Sequence, residues 1–103
     1  MDLGLNGVRV LVTGGSRGIG LGIAHALARE GAALGLIARD RDGLDKAAAE
    51  LGQYEHPVVT VATDVTDFSG LRAAVDRIAA DLGGLDRIVA NAGGTVGGNL
   101  LDS

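Results

Sequence analysis

Apolar and polar positions fall in blocks along this chain, and the spacing within the blocks switches repeatedly between strand-like and helical. Val8-Arg9-Val10-Leu11-Val12 is a short apolar run that predicts a buried strand. Leu21 to Ala28 reads as a helix, with Ile19, Ile23 and Leu27 placed to form one apolar stripe toward a sheet. Gly31, just after Arg29-Glu30, stands where a C-terminal cap belongs. Ala33-Leu34-Gly35-Leu36-Ile37-Ala38 suits a strand buried on both faces. Asp40 or Asp42 can cap the next helix, whose inner face is expected at Leu44, Ala47, Ala48 and Leu51 and which Gly52 stops. Val58-Val59-Thr60-Val61-Ala62 is a strand rich in β-branched residues. Thr66 offers an N-cap and Asp67 a favourable charge for a further helix, in which Leu71, Val75, Ile78 and Leu82 give the strongest helical period of the chain. Gly83-Gly84 ends it, Leu85 to Ala90 supplies another strand, and Thr95 to Ser103 has no clear period.

Alternating strands and helices predict an α/β fold: a Rossmann-type, doubly wound parallel sheet with right-handed crossovers. The expected strand order is 3-2-1-4, with two helices on one face and one on the other, and the sheet is unfinished beyond its fourth strand. That order puts a switch point between the first and fourth strands. The turn after the first strand and Asn91-Ala92-Gly93 after the fourth then share the carboxyl edge, where ligands bind such sheets. The apolar edge Ile88-Val89-Ala90 invites pairing with another chain, so the isolated chain is expected to be marginal or self-associating.

Composition narrows this picture. Apolar residues make up 47% with no tryptophan, so the core must be built from small aliphatic side chains, which suits helices lying close to a parallel sheet. A net charge of −4 without a basic patch argues against nucleic acid as a partner. Cysteine is absent and the two histidines are far apart, which excludes disulfides and leaves no metal cluster to expect. Neither a secretory signal nor a membrane-length apolar run is present, so the cytoplasm is the expected compartment and no membrane partner is expected.

The stretch with chemical content is Thr13-Gly14-Gly15-Ser16-Arg17-Gly18-Ile19-Gly20, between the first strand and the first helix. Glycines allow a tight turn and a close approach to a ligand, and the first N–H groups of a helix attract phosphate. Gly14 suits the turn, Gly18 the approach to a pyrophosphate and Gly20 close helix–strand packing. The spacing is neither G-x-G-x-x-G nor that of a P-loop. With 18 glycines in the chain, a purely structural turn stays open on these residues alone. His25 reads as a packed or solvent-facing helix residue, and Tyr54 and His56 as exposed loop.

Taken together, Thr13 to Gly20, Asp64-Val65 and Asn91-Ala92-Gly93 resemble the cofactor loop, the acidic pair and the N-A-G of the short-chain dehydrogenase/reductase family, in the family's order. One departure is Ala90, where many members carry a second asparagine. The resemblance covers essentially the whole chain but only the N-terminal, cofactor-binding part of a member. It implies that Gly14, Ser16, Arg17, Gly18, Ile19 and Gly20 line the adenosine ribose and pyrophosphate of a nicotinamide dinucleotide. Asp64 would accept from the adenine amino group, the Val65 main chain would meet the ring, and Asn91, Ala92 and Gly93 would lie against the cofactor's ribose.

Members that use NAD usually carry an acid at the end of the second strand. Ala38 stands there and Arg39 follows, so NADP is expected ahead of NAD, with Arg39 and Arg17 converging on the 2′-phosphate; Asp40 close by keeps NAD as the second choice. The family's catalytic serine and Y-x-x-x-K have no counterpart: Lys46 precedes Tyr54, and Val58 stands four after it. No catalytic residue is therefore named. The chain is expected to be the front of a longer, homo-oligomeric enzyme acting on a small carbonyl or alcohol, and inactive by itself. The alternatives are a noncatalytic dinucleotide-binding or sensing module and, more distantly, a domain that binds S-adenosylmethionine.

Overall fold

The computed structural model describes residues 6–14, 18–64 and 66–90. Strands β1 (Arg9–Thr13), β2 (Ala33–Ala38), β3 (Val58–Ala62) and β4 (Arg87–Ala90) alternate with helices α1 (Gly18–Arg29), α2 (Arg41–Leu51) and α3 (Phe68–Leu82). The strands form one parallel sheet in the order β3-β2-β1-β4, the order expected of a Rossmann-type fold. Register runs unbroken across it, with Leu11 opposite both Gly35 and Ile88. No helix among the described residues is long and apolar enough to cross a membrane.

Alternation along the strands divides the core in two. Val10, Val12, Leu34, Leu36 and Ala38 face α1 and α2, which contribute Ala24, Ala28, Leu44, Ala47 and Leu51. Leu11 and Ile37 face α3, which contributes Ala74 and Ile78, with Leu71, Val75 and Leu82 packed alongside. All of β2 is buried, as its continuous apolar run requires. The open edge is equally plain: Ile88 on β4 is 54% exposed.

Several elements differ from the sequence pattern. The inward stripe of α1 is Gly20, Ala24 and Ala28, one residue on from the expected Ile19, Ile23 and Leu27. Small residues let the helix axis come close to the sheet, with Leu21 and Leu27 filling the flanks, whereas Ile19 is 72% exposed. Residue 66 does not cap α3: Asp67 occupies the N-cap position, without a side-chain capping bond. Asp40 caps α2 by accepting from the Asp42 N–H at 3.1 Å. Gly31 closes α1 with φ 94°, a left-handed conformation that favours glycine.

The strand starts also shift. β4 begins at Arg87 rather than Leu85 because Asp86 is held in a clasp at the amino end of β1. Its carboxylate takes bonds from the Arg9 side chain at 3.0 and 3.1 Å and from the Arg9 main-chain N–H at 2.9 Å. Arg9 also donates to the Gly83 carbonyl at 2.6 Å, tying the end of α3 to the same point. Those Arg9 bonds hold the Asp86 carboxyl below the usual carboxylate range. Tyr54, expected in an exposed loop, is half-buried against the α1–α2 core. Its hydroxyl lies 3.2 Å from His25 Nδ1, and His25 Nε2 lies 3.1 Å from Glu50. With Nε2–H donating to the carboxylate of Glu50, Nδ1 is left to accept from Tyr54.

The absence of a side chain at Gly35 sets how closely α3 approaches the sheet. A Cβ there would run into Cγ2 of Ile78. Gly35→Ala should cost about 1–3 kcal/mol through overpacking, and Ile78→Ala about 2–5 kcal/mol through the cavity it leaves. Combined, they should cost less than their sum by about 1 kcal/mol or more, since the new methyl enters the vacated space. Denaturant melts of the four proteins measure this. Simple additivity would contradict the packing described.

Candidate functional site at the carboxyl edge

Because all strands point the same way, the turns after β1, β2 and β3 open at one edge. Gly14 leaves β1 with φ 69° while its N–H still donates to the Ile37 carbonyl at 2.7 Å, so the chain turns sharply at the tip of a paired strand. Gly18 opens α1 with φ 61°, and among the described residues none outside its chain neighbours and its own helix backbone comes within 4 Å of where its Cβ would stand. Its conformation demands glycine, and the described residues leave the space beside it open. Ile19 presents a large apolar side chain to solvent in the first turn of α1, while Gly20 is buried.

The β2 tip carries three charged residues with different employments. Asp40 is engaged as the α2 cap. Arg41 donates to Asp45 at 3.2 and 3.0 Å and to the Thr60 hydroxyl at 2.6 Å, fastening α2 to β3. Arg39 is exposed and makes no hydrogen bond or ion pair with a described residue. At the neighbouring tip, the Thr63 N–H donates to the Ala38 carbonyl at 2.9 Å, extending the β2–β3 pairing to the residue before Asp64. Asp64 Oδ1 accepts from the Thr66 N–H at 2.9 Å and from the Thr66 hydroxyl at 2.7 Å. Those bonds hold the Asp64 carboxyl below the usual range; partial desolvation opposes them, and the Arg39 charge adds to them.

Of the residues singled out in the sequence, Gly14, Gly18, Ile19, Gly20, Arg39 and Asp64 thus share the carboxyl edge. Ser16, Arg17, Val65, Asn91, Ala92 and Gly93 lie outside the described residues. The Thr66–Asp64 contact is absent from the sequence reading, which assigns Thr66 to the helix. The D-x-T spacing carries the signal, since an Asp side chain readily bonds the backbone two residues on. An open groove of about 710 Å³ lies at the opposite, amino edge, lined by residues that include Asn6, Arg29, Gly31, Gln53 and His56. No group of three or more His, Asp or Glu among the described residues is arranged to hold a metal ion.

The short chain dehydrogenase family model matches residues 8–102. Oxidoreductase UcpA of Salmonella typhimurium is 45% identical over 98 residues, which are 95% of this chain and 37% of that protein. Among solved structures, L-sorbose reductase from Gluconobacter frateurii, complexed with NADPH and L-sorbose, superposes with a TM-score of 0.86 at 38% identity. That match covers 100% of this chain and 40% of the reductase. NAD+-bound xylitol dehydrogenase gives a TM-score of 0.79 at 34% identity over 82% of this chain and 32% of its own. The chain therefore spans well under half the length of the proteins it matches.

The two glycines with open surroundings separate backbone need from space. Gly18→Ala places a Cβ in a left-handed conformation and should destabilise by about 1–2 kcal/mol. Gly22→Ala, inside α1 and equally free of neighbours, should stabilise by about 0.5–1 kcal/mol. Equilibrium unfolding of both variants checks the contrast. Equal effects in the two would contradict the geometry of the turn.

Proposed function

This chain belongs to the short-chain dehydrogenase/reductase family, and from that premise we propose that it is the cofactor-binding part of an NADP-dependent oxidoreductase. The reaction is hydride transfer between the nicotinamide ring and a small carbonyl or alcohol. Residues 1–103 form a single dinucleotide-binding domain, the N-terminal portion of a longer fold that assembles as a homo-oligomer in the cytoplasm. The observation that carries the choice of NADP is the division of labour at the β2 tip. Asp40, the acid nearest that tip, is spent on the α2 cap at 3.1 Å. Arg39 beside it has no described partner, and a guanidinium recognises a 2′-phosphate through paired, charge-assisted hydrogen bonds.

The described residues of the carboxyl edge suit a dinucleotide. The space that the described residues leave beside Gly18 would admit a pyrophosphate to the first N–H groups of α1, and Gly14, Ser16, Arg17, Ile19 and Gly20 would line the adenosine ribose and phosphates. Asp64 and Val65 receive the adenine, and Asn91, Ala92 and Gly93 lie along the ribose. Bound there, the cofactor supplies or accepts a hydride. These residues hold and orient it, and the proton partner for the substrate oxygen comes from further chain. Tyr54 is no candidate for that part: it sits at the amino edge of the sheet, bonded to His25. Support for a nicotinamide dinucleotide comes from two structural neighbours, which hold NADPH and NAD+ respectively.

Titration calorimetry of the chain with NADPH and NADH tests the reading. NADPH should bind the more tightly, and Arg39→Asp should reverse the order through a loss of about tenfold or more for NADPH. Equal dissociation constants for the two nucleotides would overturn the NADP assignment. Binding of neither would overturn the site.

A further inference from the structure

We infer that Thr66 is a positioning residue for adenine recognition, an inference that rests on the dinucleotide reading above. Asp64 is exposed at the tip beyond β3, where a carboxylate ordinarily samples several rotamers. Here one residue places two donors on one of its oxygens: the Thr66 N–H at 2.9 Å and the Thr66 hydroxyl at 2.7 Å, both on Oδ1. Two bonds converging on Oδ1 fix the plane of the carboxylate. Oδ2 accepts no hydrogen bond from a described residue and is left to meet a ligand donor. An exposed carboxylate is ionised at neutral pH and therefore purely an acceptor, the state that an exocyclic amino group requires, and the Thr66 bonds favour that form further.

Thr66 is free for this duty because it has no part in starting α3, where Asp67 holds the N-cap position. Ordering the carboxylate before binding removes a cost that would otherwise fall on the complex. The hydroxyl thus serves selectivity for adenine over a base that lacks the amino donor. It acts only through Asp64 and touches no reacting atom.

The test uses NADPH and its deamino analogue, in which oxygen replaces the adenine amino group, with the ratio of their dissociation constants as the readout. The unsubstituted chain should prefer NADPH. Thr66→Val removes the hydroxyl, keeps the shape and leaves the main-chain N–H; it should shrink the preference by about three- to tenfold. Thr66→Ser should restore it. A merely structural role would weaken both nucleotides equally and leave the ratio unmoved, which would overturn the proposal. So would loss of the preference in Thr66→Ser as complete as in Thr66→Val, or a chain that binds both nucleotides equally before any substitution. Failure of the unsubstituted chain to bind either nucleotide would instead strike the dinucleotide reading on which the inference stands.

Discussion

Parallel pairing of β1 with β2 on one side and β4 on the other is the constraint from which the rest follows. Strands that all point one way deliver every strand-to-helix turn to one edge, and right-handed crossovers decide which face each helix covers. Gly14, Arg39 and Asp64 come from three different turns, yet this polarity alone gathers them on one rim. The amino edge receives the other connections and uses them for fastening. Arg9, Gly83 and Asp86 lock there, and His25, Tyr54 and Glu50 join the end of α2 to α1.

Closeness of the layers is the second requirement, and it falls on the smallest residues. Gly20, Ala24 and Ala28 let α1 approach one face, and Gly35 lets Ile78 approach the other. Hydrophobic spacing locates elements well and faces less well. Both β2 and β3 were legible residue for residue, because β-branched and continuous apolar runs have few other uses. The stripe on α1 was not, since a period of large side chains points to Ile19 while the packing surface selects for small ones. Tyr54 was missed for a related reason. Its partner His25 lies 29 residues away, and nothing local in a polar loop marks a ring that packs against a neighbouring helix.

Charged residues at the carboxyl edge show the same division between what composition offers and what geometry employs. Asp40, Arg39 and Arg41 stand adjacent in sequence, and only their bonds tell them apart: a cap, a guanidinium with no hydrogen bond to a described residue and a strap to Thr60. Thr66 looked like a capping residue because threonine suits that role, but its hydroxyl bonds backward to Asp64. The family motifs are readable because glycine and aspartate at turn positions meet backbone demands that few other residues can meet. How a carboxylate is held in place depends on contacts that spacing suggests only faintly.

The central claim is that the carboxyl edge, and not the groove at the amino edge, receives a nicotinamide dinucleotide. Amide NMR of the labelled chain during titration with NADP addresses it residue by residue. The signals of Gly14, Gly18, Gly20, Arg39 and Asp64 should shift together and saturate with one dissociation constant. Shifts confined to Asn6, Gly31, Gln53 and His56, with those carboxyl-edge amides unmoved, would contradict it.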